Sequence, residues 1–209
     1  MATRVCFFGD SFVNGTGDDD RQGWVGRLCS AERRDGADIT LYNLGVRRDT
    51  SHDIRARWRR EADARLSFGI DGRLVFSFGL NDCADNEHGA GPRVPPAQTV
   101  RNATAILREA SSWLPTLMIG PLPVTESKRR NEQVAALSGE LQLVCERLRV
   151  PFFSALCFAE IAYDSWRKGA AAGDGVHPNG ESYAALAEAI RTWRPWRDWC
   201  DLEESPRVR

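Results

Sequence analysis

Apolar runs of strand length alternate along the chain with segments whose apolar positions recur every three or four residues. The strand-length runs are Arg4–Phe8, Ile39–Asn43, Leu74–Phe78, Leu117–Gly120 and Pro151–Ser154, each closed by turn-forming residues. Between them Val100, Ala103, Leu107, Ala110 and Leu114 follow the helical period, as do Val134, Leu137, Leu141, Val144 and Leu148. Tyr183, Leu186, Ala187, Ile190 and Trp193 form a last stripe, and Trp24–Arg33 and Ser51–Leu66 supply less regular helices nearer the start. Alternation of this kind predicts βαβ units with right-handed crossovers. The expected fold is an α/β chain of about five parallel strands in a three-layer α/β/α sandwich.

No repeat or long linker divides the 209 residues, so one domain is expected over residues 1–194. A tryptophan-rich arm and tail would follow at 195–209. Asn86–Pro96, rich in Gly and Pro, is a candidate lid, and the charged stretch from Glu203 has little to bury.

A composition of 42% hydrophobic and 27% charged residues suits a globular protein and excludes a disordered or fibrous one. With 28 Lys and Arg against 29 Asp and Glu, the chain has no surplus of positive charge for a phosphate backbone or an anionic membrane. No apolar run is long enough for a membrane span, and Val5-Cys6-Phe7-Phe8 breaks at Gly9-Asp10. A soluble, cytoplasmic protein is expected, with no nucleic-acid partner and no stable membrane insertion. The six cysteines form no C-x-x-C pair, so reduced, mostly interior thiols are expected. The three histidines make no metal-ligand pair, and no metal is assigned.

In parallel sheets binding sites form at the carboxyl ends of strands, which directs attention to the turns there. The first strand runs into Gly9-Asp10-Ser11-Phe12, the second ends in Asn43-Leu44-Gly45, and the third in Gly79-Leu80-Asn81-Asp82. Late in the chain comes Asp174-Gly175-Val176-His177-Pro178. Taken singly, each is a plain turn. In this order and spacing they resemble the four sequence blocks of the SGNH hydrolases, also called the GDSL lipase/esterase family, through Ser11, Gly45, Asn81 and His177.

That resemblance implies a flavodoxin-like sandwich and hydrolysis of a carboxylic ester or related acyl bond on Ser11, without metal or cofactor. The residues suit the chemistry. A serine hydroxyl is a poor nucleophile until a base takes its proton, and His177 is the expected base, since imidazole can accept that proton and return it to the leaving alcohol. Asp174, three residues earlier, is placed to hold the ring's Nδ1–H. The resemblance assigns the oxyanion hole to the backbone N–H groups of Ser11 and Gly45 and the side-chain amide of Asn81. A glycine at position 45 would let substrate approach without meeting a Cβ.

One departure stands out. After Gly45 the chain reads Val46-Arg47-Arg48-Asp49, where relatives often carry small residues such as Ser-Gly in place of the two arginines. Their guanidinium groups would narrow the acyl pocket, bind an anionic group of the substrate, or pair with Asp10 or Asp82 and brace the loop. Arg48 is taken as the substrate-binding one. Asp18-Asp19-Asp20 is assigned no role. The arginines around Trp58 are read as the solvated face of a helix, offset by Asp53, Glu61 and Asp63. Trp193, Trp196 and Trp199 suggest an arm packed over the domain edge, ahead of a homodimer contact or a membrane-surface anchor.

The expected activity is therefore a carboxylesterase acting on a small-molecule ester. A carbohydrate O-deacetylase is the nearest alternative, and a catalytically silent binding module on the same fold is the rival from another class.

Overall fold

The computed structural model describes residues 3–86, 89, 91–124 and 127–200. Five parallel strands, β1 (Thr3–Gly9), β2 (Ile39–Gly45), β3 (Asp71–Ser77), β4 (Thr116–Ile119) and β5 (Phe152–Phe153), lie in the order β2-β1-β3-β4-β5. The helices are α1 (Ser11–Asn14), α2 (Gly23–Arg34), α3 (Ser51–Asp63), α4 (Pro96–Trp113), α5 (Lys128–Leu148), α6 (Ala155–Ile161), α7 (Tyr163–Ala171), α8 (Gly180–Thr192) and α9 (Arg194–Cys200). The expected sandwich is the one observed.

Strand side chains alternate between the two faces, and β1 shows where each leads. Phe7 meets Trp24 of α2 and Trp196 of α9, while Phe8 meets Trp58 of α3 and stacks on Phe76 of β3. Helices α3, α4 and α5 contact one another in sequence, and α2 packs against α8. Leu74, Val75 and Phe76 are all buried, as a central strand covered on both faces requires.

Register fixes the level of the site. Gly9 pairs with Gly45 on one side and Ser77 on the other, so β1, β2 and β3 end together and release their turns at one edge. The Asp82 carboxylate, in the turn after β3, then ties this edge to the helices. It accepts the Ser51 N–H at the start of α3 at 2.9 Å, the Ser51 hydroxyl, and the Thr99 hydroxyl of α4 at 2.8 Å.

The C-terminal arm belongs to the same core through α9. Trp196 is buried and donates its indole N–H to Glu32 of α2 at 3.1 Å, and the Arg73 guanidinium of β3 lies over Trp199. Residues 201–209 lie outside the described residues. So do 87, 88 and 90 of the candidate lid, whose Arg93 and Val94 donate their N–H groups to the carbonyls of Ala84 and Asp82. No helix among the described residues is long and apolar enough to cross a membrane.

Candidate active site

Ser11 opens α1 immediately after β1. Its buried Oγ lies 2.8 Å from His177 Nε2, although 166 positions separate them in the chain. Across the ring, His177 Nδ1 lies 2.6 Å from Asp174 Oδ2. The other Asp174 oxygen accepts the N–H groups of Val176 at 3.0 Å and His177 at 2.8 Å, which locks the turn that carries the ring. Burial works to raise the Asp174 carboxyl, but the His177 N–H, the His177 ring and the Val176 N–H outweigh it and hold the pKa at about 2. An ionised Asp174 keeps the imidazole proton on Nδ1. That leaves the Nε2 lone pair facing the Ser11 hydroxyl.

The ring is also held by packing. Phe12 lies against it with centroids 5.4 Å apart and stacks in turn on Trp166. Gly17, at φ 92°, passes so close that a Cβ there would lie 2.8 Å from the His177 Cβ and 2.7 Å from the Pro178 carbonyl. Any side chain at this position would move the histidine.

Asn81 arrives from the turn after β3. Its Nδ2 donates to the Asp49 carbonyl at 3.0 Å and to Asp10 Oδ2 at 3.2 Å. The other Asp10 oxygen accepts the Phe12 N–H at 2.9 Å as the cap of α1. Burial is the main force on the Asp10 carboxyl; the Phe12 N–H opposes it and the charges of Asp82 and Asp49 add to it, leaving a pKa of about 7.

Gly45 is placed otherwise than expected. Its N–H donates to its own strand neighbour, Asn43 Oδ1, at 3.0 Å. A Cβ there would meet not substrate but the backbone of α1, 2.2 Å from the Asn14 nitrogen and 2.8 Å from the Asp10 carbonyl oxygen. The glycine serves the close approach of β2 to α1.

The two arginines differ in their surroundings, though both are exposed. Arg48 is exposed, sits in the left-handed region at φ 70°, and accepts a hydrogen bond on its carbonyl from Arg93. Arg47 instead lines a cavity of about 480 Å³ with Asn14, Gly15, Thr16, Gly17, Asp18 and Arg21. Through Gly17 this cavity abuts His177. Among the described residues neither Arg47 nor Arg48 pairs with Asp10 or Asp82.

Two further residues, Asp18 and Arg57, shape the surroundings of the site, against the expectation of no role for the first and of a solvated helix face for the second. Asp18, left without a role in the acidic triplet, is buried and accepts the N–H groups of Asp20, Gln22 and Gly23 together with the Arg27 guanidinium. It folds the loop that passes His177. Arg57 of α3 reaches under the strand ends, donating to the carbonyls of Leu44 and Gly9. The Asp-Asp-Asp run and the Glu at i+4 from Arg57 were the only signals in the sequence, and both suit an exposed surface equally well.

A family model for the GDSL-like lipase/acylhydrolase family matches residues 7–185, and the chain belongs to that family. With that membership it is a carboxylic ester hydrolase. Among solved structures, an acetylxylan esterase from Geobacillus stearothermophilus is similar at 16% identity, with 92% of this chain and 93% of that one covered and a TM-score of 0.77. A lipase/acylhydrolase from Enterococcus faecalis is similar at 20% identity, with 91% and 96% covered and a TM-score of 0.70. At such identities the likeness establishes the fold. No curated protein matches the sequence.

Proposed function

We propose that the protein hydrolyses small-acyl esters of polar alcohols through a covalent acyl-enzyme on Ser11. The observation that carries this reading is the unbroken line from Ser11 Oγ to His177 Nε2 and from His177 Nδ1 to Asp174. As Oγ attacks the carbonyl carbon, its proton passes to His177 Nε2 and the carbonyl oxygen gains the negative charge. His177 returns the proton to the leaving alcohol oxygen as the C–O bond breaks. Water then attacks the acyl carbon, giving its proton to the same nitrogen, and Ser11 recovers its proton as the acid leaves.

The developing oxyanion needs donors already in place. Ser11 N–H is the first residue of α1 and has no helical acceptor. Asn81 Nδ2 supplies the second, and of its two bonds the longer one, to Asp10, is the one released to the oxyanion. Because Gly45 N–H is taken by Asn43, the donor from the loop after β2 falls to Arg48 N–H, next to the Asp49 carbonyl that holds Asn81. No acceptor for that N–H occurs among the described residues. Support for the triad also comes from the acetylxylan esterase, whose catalytic mutants replace a serine, an aspartate and a histidine three residues after the aspartate.

Asn14, Thr16, Asp18, Arg21 and Arg47 give the adjoining cavity a polar wall that suits a hydroxylated alcohol better than a long acyl chain. This favours a carbohydrate O-deacetylase within the esterase class, as does the likeness to an acetylxylan esterase. The test is turnover of chromogenic esters from acetyl to long acyl, and of acetylated sugars, by wild type and Ser11→Ala. Preference for acetyl, lost in Ser11→Ala, is expected. Turnover that survives Ser11→Ala would overturn the reading, and a preference for long chains would overturn its substrate class.

A further inference from the structure

Arg57 stands 46 positions after the proposed nucleophile, on the second turn of α3, with its side chain only 19% exposed. Its Nη2 donates to the Leu44 carbonyl at 2.8 Å and to the Gly9 carbonyl at 3.2 Å. Its Nε donates to Asp49 Oδ2 at 2.7 Å, and its Nη1 reaches both oxygens of Glu61 at 3.2 Å, one helical turn on.

Three of these partners, Gly9, Leu44 and Asp49, belong to segments that the proposed chemistry needs, and Glu61 steadies the guanidinium from its own helix. The Gly9 carbonyl ends β1 and precedes Asp10-Ser11, so its position sets where Ser11 Oγ and N–H begin. The Leu44 carbonyl ends β2 and shares a peptide plane with Gly45, against which α1 is packed. Asp49 closes the loop after β2, and its carbonyl accepts the Asn81 amide. Gly9 also accepts the Val46 N–H at 3.0 Å, so strand end and loop meet on one oxygen.

We infer that Arg57 is a positioning residue, whose single planar guanidinium fixes nucleophile, loop and Asn81 amide relative to one another. The inference rests on the Ser11 reading of the preceding section. A guanidinium offers five N–H donors in a fixed fork, and here they reach the end of β1, the end of β2 and the loop after β2 besides Glu61 on the same helix. An ammonium is a point charge and cannot hold two carbonyls and two carboxylates at once. Two carboxylates, Asp49 and Glu61, face the guanidinium, and Asp49 together with Asp82 acts in turn on the buried Asp10. Arg57 touches no reacting atom, so its effect passes through the groups that do.

The test compares Arg57→Lys, Arg57→Ala and Ser11→Ala with wild type on 4-nitrophenyl acetate, measuring kcat and KM separately, thermal midpoints, and rescue by guanidinium below denaturing concentration. Misplacing reacting groups by about 1 Å costs on the order of a hundredfold in rate. Arg57→Lys, which keeps the charge and the fold, is expected to lose about ten- to a hundredfold in kcat with KM within about threefold. Guanidinium should restore several-fold activity to Arg57→Ala. Wild-type kcat in Arg57→Lys overturns the inference, as does a loss in Arg57→Ala that equals its unfolded fraction and resists rescue. Residual turnover in Ser11→Ala overturns the hydrolase mechanism instead, whatever the Arg57 variants do.

Discussion

Asp10 is a carboxyl group buried next to the nucleophile, and its replacement by Asn should remove a loss of stability that grows as pH rises. The side chain accepts from Phe12 N–H and from Asn81, yet no cation touches it among the described residues. Burial lifts its pKa from the ordinary 3.8 to about 7, against the Phe12 bond and with help from Asp82 and Asp49. Between about pH 4 and pH 7 the native state therefore holds a proton that the unfolded chain releases, and stability falls as pH rises through that window. A shift of roughly three pKa units is worth about 4 kcal/mol at about 1.36 kcal/mol per unit, a large share of a typical domain's stability. Asn cannot ionise, so this loss disappears. Its carbonyl keeps the Phe12 bond, but its amide faces the Asn81 amide donor to donor and forfeits about 1 kcal/mol. Asp10→Asn should thus be about 1 kcal/mol less stable than wild type at pH 4 and about 3 kcal/mol more stable near pH 8.5. Urea unfolding of both proteins across that range reads the difference directly. A difference that stays flat with pH would refute the reasoning, because it would mean that Asp10 is ionised throughout.

Asn81→Ala removes an oxyanion donor and the bonds to Asp10 and Asp49, and should lower kcat by about 10²–10³ while lowering the thermal midpoint by only about 2–8 °C, checked by steady-state kinetics beside calorimetry. Gly45→Ala drives a Cβ to 2.2 Å from the Asn14 nitrogen, and with backbone on the other side it should cost ~3 kcal/mol or more in urea unfolding. Arg48→Gly frees a left-handed residue of its Cβ and should stabilise the fold by about 1 kcal/mol in the same experiment.

The sheet was legible because central strands are runs of buried apolar residues, and these stood out at Val5–Phe8 and Leu74–Phe76. β3 nonetheless begins at Asp71, since polar Asp71-Gly72-Arg73 pairs with Thr3–Val5, a backbone event that leaves no hydrophobic mark. α9 escaped because Pro195 reads as a break, whereas a proline in the first turn of a helix costs no hydrogen bond. α1 is a single turn, too short for any period to show. At the site, the expectation for Ser11, Asp174 and His177 rested on the joint resemblance of turn blocks far apart in the chain, and the structure brings the three side chains within hydrogen-bond distance. What could not be read was orientation. Which carbonyls α3 presents its arginine to, and whether Gly45 clears a path for substrate or for α1, depend on packing between elements far apart in sequence. The same holds for Arg47 and Arg48, adjacent and both exposed, of which Arg47 lines the cavity and Arg48 takes the left-handed conformation.

The claim on which the rest depends is a covalent intermediate on Ser11, and trapping it is the most direct test. A fluorophosphonate, whose phosphorus is attacked by an activated serine with loss of fluoride, should label wild type once. The mass gain should map to the tryptic peptide Val5–Arg21, whose only serine is Ser11, and should vanish in Ser11→Ala and fall steeply in His177→Ala. Equal labelling of Ser11→Ala, or an adduct on another peptide, would contradict the account.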